Sequence, residues 1–287
     1  MTNEQVIKKI LEYHTYVPNY HGCDEYKAGD PSEECSGVAV ALVPTVEVIR
    51  EAIKSDCNLL VTHEPIYYQT PDFTGWKGNF VNRVQQEKEA LIRESGITIW
   101  RDHDHMHLHK PDAIFAGVMH YLGWQDYFTG SDDEELPMYY PFSIPETTVG
   151  RLGEFLVQKI GMNGLRYMGN PTDYINKVAI IAHIYPDSFG KDEIKKDGFY
   201  HSYDMEIMKR MEEDGIQAII PGEIIEWTIL SYIRDGIEQG KPMACYNLGH
   251  FNWEELGMKY AADKITHLVG GELPVRYIPT GDAWRFV

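Results

Sequence analysis

The chain reads as an α/β protein. Three observations carry this. Short β-branched runs alternate with stretches of helical periodicity along the whole length. The runs are apolar throughout, without in/out alternation, as expected of strands buried on both faces of a mainly parallel sheet. The first clear unit is strand, helix, strand, which implies a parallel pair joined by a right-handed crossover.

Residues 3–15 have the spacing of a helix, with Val6, Ile7, Ile10 and Leu11 on one face. Residues 16–36, rich in Gly, Pro, Cys and charge, read as loop. VAVALV (38–43) predicts a buried strand, Thr45 can cap the helix VEVIREAIKS, and NLLVT (58–62) is a second strand that ends at His63. Residues 69–80 read as a loop, and Tyr67, Tyr68, Phe73 and Trp76 form an aromatic cluster there. A helix over 81–95 leads to a third strand, ITIW (97–100), which runs into RDHDHMHLHK, and Pro111 precedes the helix DAIFAGVMHYLG. Residues 128–145, acidic (SDDEE) and then carrying three prolines, read as a linker and domain boundary. Beyond it the pattern predicts a helix over 146–161, strand KVAIIAHI, a helix near 202–214, strand IQAIIPG, a helix over 224–239 and strand 244–248. The helix WEELGMKYAADKI follows, and RYIPTG closes the chain.

With 287 residues, 43% hydrophobic and 24% charged, the chain can bury a sizeable core. A net charge of −18 repels nucleic-acid phosphates and anionic lipid, so neither nucleic acid nor membrane is expected as a partner. The four cysteines form no CxxC pair, which argues against a zinc finger or a thioredoxin-like motif. No signal-peptide pattern and no apolar run near ~18 residues is present, and the expected location is the cytoplasm.

Three patches stand at the carboxyl ends of expected strands, where ligand sites lie in open α/β sheets. The first is THEP (62–65), with His63 and Glu64. The second is DHDHMHLH (102–109). As a strand it puts His103, His105, His107 and His109 on one face; as a helix it pairs His103 with His107. The third is GHFNWE (249–254), whose His250 and Glu254 are four apart and share a helix face. Each alone has a plainer reading: a loop histidine beside a solvated glutamate, an exposed histidine loop, an exposed His/Glu pair. Together they supply about six imidazole and carboxylate donors. That is roughly what two bridged metal ions need, and the mixture favours Fe, Mn or Zn over Mg or Ca. His183, Glu223 and Glu226 carry less weight. A histidine at a strand end is commonly satisfied locally, and carboxylates at helix starts commonly answer the helix dipole.

Nearly the whole chain resembles the Nif-three-like family of dinuclear metal-centre hexameric proteins, named GTP cyclohydrolase I type 2 homologs. The family's hallmarks are a strand followed by T-H-H-P, a strand followed by H-x3-D, and G-H-x3-E near the C-terminus. Here they read T-H-E-P (62–65), H-D-H-M-H (103–107) and G-H-F-N-W-E (249–254). Glu64 replaces the second histidine and His107 replaces the aspartate, an exchange that keeps ligand number and formal charge. Val43 stands near a common family aspartate, and His183-Ile-Tyr replaces a glycine-rich turn. These departures imply a divergent branch with its own substrate.

The resemblance implies two α/β domains with mainly parallel central strands, residues 129–241 being inserted between 1–128 and 242–287 of the first. It implies a metal set of His63, Glu64, His103, His107, His250 and Glu254. It also implies a homo-oligomer, hexameric in the family. The expected function is dinuclear metal-dependent hydrolysis of a C–N bond or phosphoester in a small cyclic or nucleotide-like molecule, by a metal-bridged hydroxide. Glu254 and Glu64 are the expected catalytic carboxylates, Glu254 as the bridge. Two alternatives are a non-catalytic metal-binding, metallochaperone or scaffold protein, and an amidohydrolase- or β-lactamase-like enzyme taking ligands from His103, His105 and His107 together.

Overall fold

The computed structural model describes residues 1–69, 78–131 and 134–287. Phe73, Gly75 and Trp76 of the expected aromatic loop, and Asp132 and Asp133 of the acidic stretch, lie outside the described residues. The architecture is α/β, with two five-stranded sheets in two compact units. The first unit comprises Met1–Val118 with Glu254–Gly281, the second Met119–Trp253 with Asp282–Val287. No helix of the described residues is long and apolar enough to cross a membrane.

In the first unit, α1 (Asn3–Tyr13) starts at a reciprocal cap between Thr2 and Gln5 and buries Val6, Ile7 and Ile10. β1 (Tyr26–Ala28) is followed by β2 (Val38–Ala41), α2 (Val46–Lys54), β3 (Leu59–Thr62), α3 (Arg83–Ser95) and β4 (Thr98–Arg101). Thr45 caps α2 by accepting the Val48 N–H. α4 (Asp104–Leu108) and α5 (Ala113–Leu122) come next. Every residue of β2, β3 and β4 is buried, which is why these strands read as unbroken apolar runs. The sheet order is β1-β4-β3-β2-β12, where β12 is Val275–Tyr277. β4, β3, β2 and β12 are parallel, and β1 is antiparallel to β4. Residues 16–36 are therefore not all loop. β1 is three half-buried residues whose pairing comes from Trp100 and Ile99, far along the chain.

The second unit has β5 (Tyr139–Thr148), α6 (Val149–Ile160), β6 (Arg166–Met168), β7 (Tyr174–Ile181), β8 (Glu193–Ile194) and β9 (Tyr200–His201). α7 (Tyr203–Glu213), β10 (Ala218–Pro221), α8 (Ile229–Glu238) and β11 (Ala244–Asn247) complete it. Its sheet runs β5-β7-β10-β11-β6, with β7, β10 and β11 parallel and both edge strands antiparallel. Ile181, Ile207, Ile219 and Ile233 are among its core. The expected linker 128–145 is corrected here, because 139–148 is strand. Its prolines are tolerated since β5 is an edge strand and Pro145 falls in the register break between Ser143 and Thr147. β11, expected with the C-terminal part of the first domain, joins the second sheet through β10. α9 (His250–Leu268) begins directly after Gly249, whose φ of +82° suits glycine.

Candidate metal centre

β3 ends at Thr62, and the chain turns at once. The N–H groups of His63 and Glu64 both donate to the Leu42 carbonyl, at 3.2 and 2.9 Å. Successive side chains of a continuing strand would diverge. This turn instead brings His63 and Glu64 into one group with Glu254, all three offering ligand atoms within 4.8 Å of one another. His63 and Glu254 are almost wholly buried, and His63 Nε2 lies 3.7 Å from Glu254 Oε2.

The histidine run resolves as a helix. Asp24 makes this local structure possible: its carboxylate accepts the N–H groups of His103, Asp104 and His105 at 2.7, 3.0 and 2.8 Å. These are orphan donors of a helix start that no nearby side chain serves. Helical spacing sends His103 and His107 to His63, and the three form a second group within the same limits. His105 goes elsewhere, with its Nδ1 2.7 Å from Asp24 Oδ2. His105 stands in a separate group with Asp24 and Asp102, apart from the group of His63, His103 and His107.

Hydrogen-bond partners fix the tautomers. His63 Nδ1 faces the Asp102 carbonyl at 3.0 Å, His107 Nδ1 faces Asp112 Oδ2 at 2.9 Å, and His103 Nδ1 faces Asp104 Oδ1 at 2.8 Å. Each partner only accepts, so each Nδ1 carries a proton, and a neutral ring then has its lone pair on Nε2. The His103 hydrogen bond, helped by Tyr20 and Cys23, holds Asp104 well below the usual carboxylate range against its burial.

His63 Nε2 and His107 Nε2 are 3.2 Å apart. Two lone pairs at this distance repel unless a positive charge lies on or between the rings. Two imidazoles on one ion at about 2.0–2.1 Å each would stand about 3.3 Å apart at a tetrahedral angle. The residues present therefore fit a divalent cation, with the buried Glu254 carboxylate beside His63 as a further candidate ligand.

His250 is placed in the second unit, in a group with His183 and Glu223. The His183 and His250 ring centroids are 4.3 Å apart, and His250, 3.7 Å from the Glu223 carboxylate, lowers the Glu223 pKa. His183 differs from the first three histidines because its Nδ1 accepts the Glu223 N–H at 3.1 Å, leaving the proton on Nε2. The ring sits against Gly222, where a Cβ would come within 2.6 Å of Nδ1.

Several supporting residues escaped the sequence reading. Asp24 builds α4, and Asp112 orients His107 while accepting the Phe115 N–H. Buried Arg101 donates from Nε to the His63 carbonyl at 2.9 Å. His14 and Asp102 form a buried pair at 3.1 Å. Asp112, directly after a proline and before a helix, had the signature of a cap; nothing local marks Asp24. Cys23 lies beside Asp104, and burial pushes its thiol up to about 12, so it stays protonated.

A sequence model of the family described as Duf34/NIF3 (NGG1p interacting factor 3) matches residues 7–182. The chain belongs to this family. It is 24% identical to a GTP cyclohydrolase 1 type 2 homolog of Clostridium acetobutylicum over 262 residues, covering 86% of this chain and 84% of the relative. A Clostridium perfringens protein of the same name is 23% identical, over 79% and 76% of the two chains. The fold matches that of a Bacillus cereus protein related to NIF3, with a TM-score of 0.70 and 14% identity over 100% of this chain and 99% of the other. Reduced HcgD from Methanocaldococcus jannaschii gives 0.61 and 16% identity over 97% of each chain.

Proposed function

We propose that this NIF3-family protein is a metal-dependent hydrolase acting on a small cyclic or nucleotide-like substrate. The observation that carries the reading is the convergence of the His63 and His107 Nε2 lone pairs beside buried Glu254. His63, Glu64, His103, His107 and Glu254 would hold divalent ions, two in number and drawn from Fe, Mn and Zn. When bound, such ions lower the pKa of water towards neutrality and polarise the bond under attack. The chain's own contribution is orientation. The Asp102 carbonyl, Asp104 and Asp112 hold the three rings in one tautomer, and Arg101 braces the turn that carries His63. Glu254 and Glu64 would be the carboxylates that hold the ions. His250, grouped with His183 and Glu223 in the second unit, is a separate candidate ligand. The name of the clostridial relatives supports a C–N bond in a purine-like ring as the target. The family resemblance adds a homohexamer, which native mass spectrometry reads directly.

The test is elemental analysis with a substrate screen. Two ions per chain are expected, together with turnover of a nucleotide or cyclic amide by Mn- or Fe-loaded protein that Glu254→Ala abolishes. One ion or none, no turnover by the parent protein, or equal turnover by the variant would each overturn the reading.

A further inference from the structure

The helix that brings His103 and His107 to His63, α4, is only five residues long. A helix this short has little stability of its own and is held by contacts at its ends. Asp24 serves its start, and the end of α1 touches the chain on both sides of it. His14, which closes α1, is buried, and its backbone N–H donates to the Ile10 carbonyl at 3.2 Å. The packing of Val6, Ile7 and Ile10 therefore fixes where His14 stands.

Ahead of α4, His14 Nε2 lies 3.1 Å from Asp102 Oδ2. The carboxylate only accepts, so Nε2 donates. Behind α4, the Thr15 N–H donates to His109 Nδ1 at 3.2 Å, and Thr15 Oγ1 accepts the Lys110 N–H at 3.1 Å. The Tyr13 ring stacks on His109, with centroids 4.8 Å apart. Successive residues at one helix end thus clamp the histidine-bearing turn from both sides.

Asp102 connects this clamp to the ligand rings. It directly precedes His103, its N–H donates to the Thr62 carbonyl at 2.8 Å, and its carbonyl accepts the His63 Nδ1–H at 3.0 Å. Its carboxylate is buried, and Oδ1 has no hydrogen-bond partner among the described residues, so the bond from His14 to Oδ2 is what holds it. A buried carboxylate that loses its donor is costly, and shifting the residue that bears it relieves the cost. Such a shift moves the carbonyl that faces His63. We infer that His14 is a positioning residue of the metal centre: through Asp102 it sets the tautomer and direction of the His63 ring and the entry of the chain into His103. The inference rests on the reading of His63, His103 and His107 as ligands, and adds a residue of α1 that touches none of them.

Zinc affinity by chelator competition and nitrogen NMR of the imidazole rings, both on the full chain, test it. His14→Ala should weaken zinc about tenfold, the scale on which partners behind a ligand act. His14→Gln, whose amide nitrogen reaches about as far as Nε2, should restore most of the loss. His14→Leu, which fills the space but cannot donate, should not, and it serves in place of His14→Ala should the latter melt far below the parent. In the ion-free parent the neutral His63 ring is expected to keep its proton on Nδ1, whereas in His14→Ala and His14→Leu it should divide between the two tautomers. Asp102→Ala keeps the backbone carbonyl, and in that background His14→Ala should cost little further affinity. A parent protein that takes up no zinc would sink the metal-dependent reading, and the His63 spectrum of the ion-free protein would still decide this inference. It is overturned if His14→Ala or His14→Leu keeps the parent's His63 spectrum, if His14→Gln binds zinc as weakly as His14→Ala, or if His14→Ala costs as much in Asp102→Ala protein as in the parent.

Discussion

His63, His103 and His107 in the first unit and His183 in the second all lie close to carboxylates, yet their protons are arranged oppositely. In the first three, Nδ1 donates to a carbonyl or a carboxylate, and Nε2 is left with a lone pair. In His183, Nδ1 accepts a backbone N–H, and Nε2 carries the proton. Proximity of His and Glu alone would rank the two groups equally. The bond on the far side of each ring separates them: the first set holds Nδ1 to an acceptor, while His183 holds Nδ1 to a donor.

The comparison breaks most sharply at His63, which belongs to two of the ligand groups of the first unit. His63→Ala should reduce bound metal to background by elemental analysis, whereas His183→Ala should leave the content of the first group unchanged. Equal losses in both variants would mean that the tautomers do not distinguish the groups. An intermediate effect is expected one bond further out. Asp112→Asn keeps size but removes the charge that orients His107, and metal affinity measured by chelator competition should fall about 10- to 100-fold. An unchanged affinity would show that His107 needs no orienting carboxylate. The smallest effect is expected at Cys23, which lies within reach of His103 and Asp104 but whose buried thiol is protonated. Cys23→Ser should leave metal content and affinity as they are; a clear drop would place sulfur in the centre.

Much of the first unit is legible in the sequence because its signals are local. VAVALV, NLLVT and ITIW are buried on both faces and read as strands without knowledge of their partners. Where the signal is a distant partner, the reading fails. β1 exists because Trp100 and Ile99 pair with it, and β5 looks like a linker because its prolines are permitted only by an edge position. The site follows the same division. His63 stands out at its strand end, whereas the choice of His103 and His107 within the run is what the family resemblance implies. Asp24, which turns the histidine run into a helix, acts on residues about 80 positions away and leaves no pattern in its own neighbourhood. The run itself is compatible with strand or helix, and Asp24 beneath it selects the helix.

The prolines of β5 have a consequence for chain association. A sheet edge with a full row of free N–H groups invites a second chain to add a strand. Pro141 and Pro145 remove two donors from this border, and the Pro141 carbonyl is already taken by the Thr129 N–H. At the opposite border, β6 is only three residues long. Neither border offers a long template for a neighbour, so runaway strand-to-strand stacking of this sheet is discouraged at both ends, including while newly made chains are crowded together.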